Sequence, residues 1–281
     1  MTLATPQDRY LQAGKSKTRF WSLGESGSVV ILLHGLGASA EIWLPNIDAL
    51  AKNHRVFVPD LPGFGRSERP SPSFTPLDYV SFLDDFLEAL KIRQASFVGQ
   101  SLGGGIALMY TLRFPQKVEK LVLADCAGFG TEVVWTLRLL SLPGLGELVS
   151  YPTRAGVALF FKIALRNRAV ITEDFLDFYY ELFKRPGFQA FLLKMVRMLV
   201  DFRGAKKEIL APVLEDLHKI KQPTLIIWGE LDRVLPLKQA YFGKEKLPQA
   251  QLYIMRECGH IVNLEKPAEF NRVVLDFLAP S

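Results

Sequence analysis

A serine between glycines is the first residue whose surroundings suggest chemistry. Ser101 follows a short apolar run, precedes a segment with helical periodicity, and is flanked by Gly99, Gln100, Leu102 and Gly103. In a strand, sharp turn and helix of this kind, glycines relieve crowding around a serine with a strained backbone, and the hydroxyl is exposed above the sheet. We interpret Ser101 as a nucleophile supported by Gly99, Gln100 and Gly103; a plain glycine-rich turn is the alternative.

A serine hydroxyl needs a base that takes its proton, and the chain has 4 histidines. His260 follows the last predicted strand in a turn that would face the same sheet edge as Ser101, and we assign it as the base. His54 begins a strand and His218 lies in a charged segment, which makes both poor candidates. His34 opens a glycine-rich loop, where a role in supporting the backbone is expected.

An imidazole base needs a carboxylate that fixes its tautomer and stabilises the imidazolium. Asp232 follows a predicted strand and comes between the serine and the histidine along the chain. Asp125, at the end of the strand after the serine's helix, and Glu230, on the same loop as Asp232, are the alternatives. The sequence therefore predicts a triad of Ser101, His260 and, as the favoured acid, Asp232.

Attack on a carbonyl carbon creates an oxyanion, which two backbone N–H groups can stabilise by about 3 kcal/mol each. The expected donors are Leu102, directly after the serine, and Leu36, in the loop that His34 and Gly35 begin. A plain turn between a strand and a helix is the alternative for that loop. We predict neither a cofactor nor a metal ion for this chemistry.

A parallel sheet would bring these residues to one edge, because its loops leave from the carboxyl ends of neighbouring strands. Short apolar runs typical of buried parallel strands alternate with helical patterns. The runs lie at 29–33, 56–58, 96–98, 121–124, 224–228 and 252–255. Segments 9–13 and 18–23 could add an antiparallel hairpin, and a helix is predicted over 77–90 with Thr75 as a possible N-cap. The predicted fold class is α/β.

The middle of the chain has a different pattern. Between residues 131 and 218 the strand signals give way to apolar-rich helical stretches, among them 175–183 and 188–202. We interpret 131–218 as an inserted all-helical cap, and 1–130 together with 219–281 as the catalytic domain. The aromatic, leucine and methionine stripes of the cap are typical of a packed core, and in a cap they could also face a ligand.

Composition narrows the partners and the compartment. The chain has 281 residues, 49% hydrophobic and 22% charged, with a net charge of +5, a balance typical of globular proteins. Acids interrupt its basic residues, which argues against a nucleic-acid partner. Cys126 and Cys258 are too few for a disulfide framework. The amino terminus lacks the features of a signal peptide, and no apolar run reaches the roughly 18 residues of a membrane span. We predict a cytoplasmic monomer or homodimer.

A basic stretch in the cap allows one further partner. Residues 154–168 carry four basic residues and no acid, beside Leu159, Phe160 and Phe161. Contact between the cap and a lipid surface is compatible with this pattern. A packed cap helix is the favoured interpretation.

Five motifs, taken together and in this order, resemble the α/β-hydrolase superfamily. They are His34-Gly35, the segment 60–67 (DLPGFGRS), the segment 99–104 (GQSLGG), the segment 229–232 (GELD) and Gly259-His260. The resemblance spans nearly the whole chain. It implies an α/β-hydrolase fold with an eight-stranded, mostly parallel sheet wrapped by helices, a helical cap inserted after the sixth strand, and a serine hydrolase triad.

The subfamilies differ around the nucleophile. Epoxide hydrolases and haloalkane dehalogenases have an aspartate at the position of Ser101, which argues against both. Hydrolases of aromatic ring-cleavage products are similar through the nucleophile turn, 114–118 and 126–130, but usually have asparagine before the serine and glutamine–tryptophan after the histidine. This chain has Gln100 and Asn263-Leu264 there.

These differences lead to a ranked set of functions. We predict a hydrolase of small carboxylic esters with an apolar acyl or alcohol part, acting through an acyl-enzyme. A carbon–carbon bond hydrolase of ring-cleavage products is the alternative within the same class. A ligand-binding receptor on the hydrolase fold is the alternative from another class.

Overall fold

The computed structural model describes residues 5–279. Residues 1–4, which form part of the segment without signal-peptide features, lie outside the described residues, as do residues 280–281. Within the described range the strands are β1 (Arg9–Ala13), β2 (Ser16–Leu23), β3 (Val29–Leu33), β4 (Arg55–Pro59), β5 (Ala95–Gln100), β6 (Val118–Ala124), β7 (Val200–Asp201), β8 (Gly204–Ala205), β9 (Thr224–Gly229) and β10 (Gln251–Met255).

Helices connect most of these strands. They are α1 (Leu44–Ala51), α2 (Asp78–Ala89), α3 (Leu102–Arg113), α4 (Trp135–Leu140), α5 (Leu145–Val149), α6 (Arg154–Ala164), α7 (Glu173–Phe183), α8 (Phe188–Leu199), α9 (Lys207–Asp216), α10 (Lys238–Lys246), α11 (Val262–Glu265) and α12 (Pro267–Leu278). None of the helices that residues 5–279 form combines the length and the apolar character that crossing a bilayer requires.

Eight strands form one sheet in the order β1-β2-β4-β3-β5-β6-β9-β10. β2 runs antiparallel to both of its neighbours, and all the other pairs are parallel. The predicted α/β class, with an eight-stranded and mostly parallel sheet, is confirmed. The central strands β5 and β9 are buried along their whole length, which explains why their sequences are apolar without alternation.

The register of the central strands decides where the functional loops leave the sheet. One row across four parallel strands consists of Leu33, Gly99, Leu123 and Ile226. The segments that follow this row therefore emerge at the same edge, and they carry His34, Ser101, Asp125 and Asp232.

Segment 131–218 lies between β6 and β9 and contains α4 to α9. Its core is aromatic: the rings of Phe161 and Tyr179 have centroids 4.5 Å apart, and those of Phe183 and Phe188 stack at 4.4 Å. α7 begins after Thr172, whose hydroxyl accepts the N–H of residue 175 at 3.2 Å. The aromatic stripes of the cap thus pack largely against one another, and some of the rings also face the sheet edge.

Some predicted helix limits differ from the structure. The helix predicted over 77–90 spans Asp78–Ala89. Thr75 as its N-cap is wrong, because the N–H and hydroxyl of Thr75 both donate to the Asp78 carboxylate, at 2.6 and 2.7 Å, and close a turn before the helix. The helix predicted over 188–202 ends at Leu199, because β7 pairs with β8 as a small antiparallel hairpin. This hairpin is a part of segment 131–218 that the all-helical prediction did not include.

Candidate active site

Ser101 is the residue at which β5 turns into α3. Its backbone has φ 52° and ψ −116°, a conformation that a residue with a side chain rarely adopts. The turn is tight enough to exclude side chains from its flanks. A Cβ atom on Gly99 would lie 2.5 Å from the carbonyl oxygen of Gly103, and one on Gly103 would lie 2.3 Å from that of Leu33. The predicted supporting glycines therefore stand where two backbone segments touch.

A chain of hydrogen bonds joins Ser101, His260 and Asp232. Nδ1 of His260 lies 2.7 Å from Oδ2 of Asp232, and Nε2 lies 2.9 Å from Oγ of Ser101. Because a carboxylate only accepts, Nδ1 carries the proton and Nε2 is left to accept the serine proton. The other oxygen of Asp232, Oδ1, accepts the N–H groups of Val234 and Leu235 at 2.7 and 2.9 Å. These bonds fix the orientation of the carboxylate.

The two alternative acids are bonded elsewhere. Asp125 is fully buried and accepts the N–H of Gly229 at 2.8 Å and that of Val262 at 3.3 Å. Burial, and then the nearby charge of Asp232, raise the pKa of Asp125 well above its usual value. Glu230 accepts the N–H of Glu257, which follows β10, at 2.9 Å. Asp125 thus connects the loop before Asp232 to the segment after the histidine, and the carboxylate bonded to the imidazole is that of Asp232.

Asp125, Asp232 and His260 are also the one group among residues 5–279 whose spacing could hold a metal ion, since one ligand atom from each lies within 4.8 Å of the others. All four carboxylate oxygens already accept hydrogen bonds from this histidine or from backbone N–H groups. The group is therefore a hydrogen-bonded framework around the imidazole.

The other histidines have separate environments. His34 is fully buried; its Nδ1 donates to the carbonyl of Gly35 at 2.8 Å and its Nε2 accepts the N–H of Leu61 at 2.9 Å. Burial lowers the pKa of His34 to about 4, so it is neutral and holds the loop in place. His54 contacts a serine hydroxyl, and His218 is bonded to a carbonyl on the surface.

The remaining predicted residues surround the serine. Nε2 of Gln100 donates to the carbonyl oxygen of His260 at 2.8 Å, and a Cβ atom on Gly35 would lie 2.5 Å from Oε1 of this glutamine. Leu102 is the first residue of α3, where N–H groups lie outside the helical bonding pattern, and Leu36 lies on the wall of the cavity that contains the serine. The oxyanion role of the two leucines stays a prediction.

A cavity of about 150 Å³ lies between the sheet edge and the cap. Ser101 and His260 lie on its wall, and the polar groups that the cap adds are the hydroxyls of Thr136, Ser150 and Tyr151. Most of the lining is apolar, including Leu137, Val149, Val157, Leu159, Phe160 and Leu192. The hydroxyl of the serine is therefore presented to an apolar chamber whose shape depends on the cap.

Sequence reasoning missed Glu265, which fastens the histidine loop to the cap. Its Oε2 accepts the N–H groups of residues 166–167, just after α6, at 2.8 and 2.7 Å, and its Oε1 accepts the N–H of Gly259 at 2.9 Å. The N–H of His260 donates to the carbonyl of Ala164 at 2.7 Å. Burial raises the pKa of Glu265. The available signal was a lone acid in the otherwise uncharged segment 258–265.

The two departures that distinguished this chain from ring-cleavage-product hydrolases have structural roles. Gln100 supports the histidine loop, as described above. Asn263 is fully buried and donates to the carbonyl of Ile42 at 2.9 Å, on the side of α1. Asn263 and Leu264 are not among the described residues that line the cavity. Both side chains thus hold neighbouring backbone segments, and of these positions only Gln100 also lines the cavity.

Comparison with known proteins agrees with this geometry. A family model described as alpha/beta hydrolase fold matches residues 28–267. The 2-hydroxy-6-oxo-2,4-heptadienoate hydrolase of Pseudomonas putida is 30% identical over 96% of both chains. The 2-hydroxymuconate semialdehyde hydrolase of a Pseudomonas species is 31% identical over 90% of this chain and 88% of the relative. The solved meta-cleavage product hydrolase CumD of Pseudomonas fluorescens is 30% identical over 96% of both chains, with a TM-score of 0.82.

These relatives overturn the predicted specificity for small carboxylic esters, which is wrong: their names describe hydrolases of ring-cleavage products, the stated alternative. A carboxylesterase of Bacillus subtilis is also similar, with a TM-score of 0.80, but at 22% identity it shows the fold alone. The error has a physical reason, since the nucleophile turn and its partners serve either bond. The chain is a hydrolase and belongs to the alpha/beta hydrolase fold family.

Proposed function

We propose that this protein hydrolyses a carbon–carbon bond in a vinylogous diketone of the 2-hydroxy-6-oxo-2,4-dienoate type. The observation that carries the proposal is similarity, over nearly the full length of both chains, to a hydrolase named for such a compound. The hydrogen-bonded serine, histidine and aspartate beneath an apolar cavity support it.

The bond to be cleaved joins the ketone carbon, C6, to C5. The electron pair that leaves with C5 is stabilised when the 2-hydroxyl has become a ketone, because the pair is then conjugated through C3 and C4 to the oxygen on C2. The first step is therefore transfer of the hydroxyl proton to C5. We assign it to His260, whose imidazole lines the cavity and can accept a proton and then donate it.

Cleavage follows by attack of Oγ of Ser101 on C6 while Nε2 of His260 takes its proton. The N–H groups of Leu36 and Leu102 hold the oxyanion, and Asp232 stabilises the imidazolium. The C5–C6 bond then breaks, its electron pair is delocalised from C5 to the oxygen on C2, that oxygen receives the proton from the imidazolium, and an acyl group stays on the serine. Water activated by the same imidazole releases it, so that one diketone and one water give a carboxylic acid and a 2-hydroxydienoate.

The cavity suits the apolar parts of such a molecule. Its aliphatic and aromatic walls can enclose the conjugated chain and the substituent on C6. The described residues that line it include neither lysine nor arginine, so the hydroxyl-bearing side chains that a substrate carboxylate would meet are Thr136 and Tyr151. We expect the C6 substituent to be apolar. The cytoplasmic location stays a prediction.

The test follows the loss of substrate absorbance for two dienoates, with methyl or phenyl on C6. The expected result is steady turnover by the wild type and a loss of about a thousandfold or more in kcat with Ser101→Ala. If neither compound decayed while p-nitrophenyl esters were hydrolysed, carbon–carbon bond hydrolysis would be rejected and Ser101 would be retained as the nucleophile. Decay of less than one equivalent, with a ligand-dependent rise in melting temperature, would favour the receptor alternative.

A further inference from the structure

Among residues 5–279, the large apolar side chains that are exposed to solvent are concentrated on the cap. Of eleven such residues, six lie between positions 135 and 159, although this segment is a small part of the chain. We call these six the outer cap face: Trp135, Leu145, Leu148, Val149, Tyr151 and Leu159. Isolated exposed hydrophobic residues are ordinary, whereas a cluster of this size marks an interaction surface.

The outer cap face is continuous with the cavity. Val149, Tyr151 and Leu159 are exposed and also line the cavity wall. Trp135 begins α4 and stands between two lining residues, Val134 and Thr136, and the other two members lie on α5 with Val149. The cavity that contains Ser101 therefore opens among the exposed apolar side chains.

The segment that carries this face is mainly basic, and of its cations Arg154 is paired with Glu173 and Asp177 of α7. Segment 133–170 contains five basic residues and a single acid, Glu147, which pairs with Arg197 at 2.8 Å. Lys162 lies on the same side of α6 as Leu159, one turn later, and Arg166 and Arg168 follow the helix; all three are exposed. Among the described residues they form no ion pair, so their charges are available to a partner.

We propose that the outer cap face docks on the surface of an anionic lipid bilayer. Apolar side chains beside basic ones, with tryptophan and tyrosine among them, match the boundary between headgroups and acyl chains. Lys162, Arg166 and Arg168 meet the lipid phosphates. A second copy of the chain fits less well, because a twofold axis would bring the same cations of both copies together. Docked in this way, the mouth of the cavity faces the membrane.

The tryptophans provide a direct test. Trp21, Trp43 and Trp228 are fully buried, whereas Trp135 is 65% exposed and lies on the proposed surface. Vesicles of phosphatidylcholine and phosphatidylglycerol with brominated acyl chains should quench the emission of the wild type, and the quenching should vanish in Trp135→Phe. Unchanged wild-type emission at all lipid concentrations, or equal quenching of the variant, would overturn the proposal.

Matched variants measure the contribution of the apolar face. Leu148 is 76% exposed and Leu77, on the catalytic domain, is 63% exposed, so serine should be tolerated at both. Leu148→Ser should lower the vesicle partition coefficient about tenfold, as expected from removing one leucine from the interface, and Leu77→Ser should leave it unchanged. Equal losses in both would contradict docking through the cap.

Charge is tested in the same assay. Lys162→Gln should reduce binding to phosphatidylglycerol vesicles and leave the weaker binding to pure phosphatidylcholine unchanged, because only the former offers anionic headgroups. A dimer in solution that Leu148→Ser dissociates, together with no binding to either vesicle, would assign the face to a second copy and overturn the lipid proposal.

Discussion

At the sheet edge, backbone geometry decides which residue can occupy each position, whereas in the cap neighbouring side chains decide it. Ser101 has a positive φ between two glycines that contact other backbone segments. The cavity wall of the cap, by contrast, is made of aliphatic and aromatic groups such as Phe160 and Leu192, whose packing tolerates exchange. The comparison teaches that backbone contacts hold the triad at the edge in one geometry, whereas packed side chains of the cap give the cavity its shape.

The largest effect should come from the acid of the sheet edge. Asp232→Asn should lower kcat about ten-thousandfold, because the amide no longer holds Nδ1 of His260 protonated with Nε2 free. Thermal stability should change little. A kcat within tenfold of the wild type in single-turnover assays would mean that Asp125, the second carboxyl near the imidazole, can replace it.

The next effect concerns the backbone of the edge. Gly99→Ala should destabilise the protein by about 3 kcal/mol, since the new Cβ would lie 2.5 Å from a backbone oxygen that cannot turn away. Gly156→Ala, in α6 of the cap, is the control, and its cost should stay below about 1 kcal/mol because alanine favours helix. Urea unfolding measures both, and equal costs would break the contrast between edge and cap.

A third prediction sharpens the role of the cap. Phe160→Leu should shift the ratio of kcat/KM for the phenyl and methyl dienoates about tenfold, because it reshapes the cavity without touching the triad. Phe175→Leu is the matched control: its ring packs on Phe161 in the same cluster but is not among the lining residues. If Phe160→Leu lowered kcat for both substrates equally, the cap would serve the reaction itself.

The smallest effect is a dependence on pH. Because the pKa of Asp125 is raised by burial, the folded protein holds a proton that the unfolded chain has already released. Its contribution to stability is therefore greatest below the unfolded pKa and falls as pH rises toward the folded one. Asp125→Ala should remove up to about 1.4 kcal/mol per pH unit of this slope. Urea unfolding at a series of pH values above the unfolded pKa tests this prediction. If the free energy of unfolding had the same slope against pH in the wild type and in Asp125→Ala, the prediction would be contradicted.

Local chemistry explains what the sequence could predict. Apolar runs identify buried strands, and glycines beside Ser101 identify a turn that few residues can make, so the fold and the members of the site were within reach. The end of α8 was not, because it depends on pairing between β7 and β8. Glu265 was missed since its partners at 166–167 lie about a hundred residues away. The prediction of an ester substrate was wrong. It relied on Gln100 and Asn263 as signs of the bond that is cleaved, whereas both side chains hold neighbouring backbone segments.

The link between α6 and the histidine loop ties the placement of the base to that of the cap. Three hydrogen bonds join the two, two through Glu265 and one through the N–H of His260. Any swing of α6 away from the sheet edge must break these bonds or draw the imidazole away from Ser101. The position of α6 and the distance between the imidazole and Ser101 are therefore coupled.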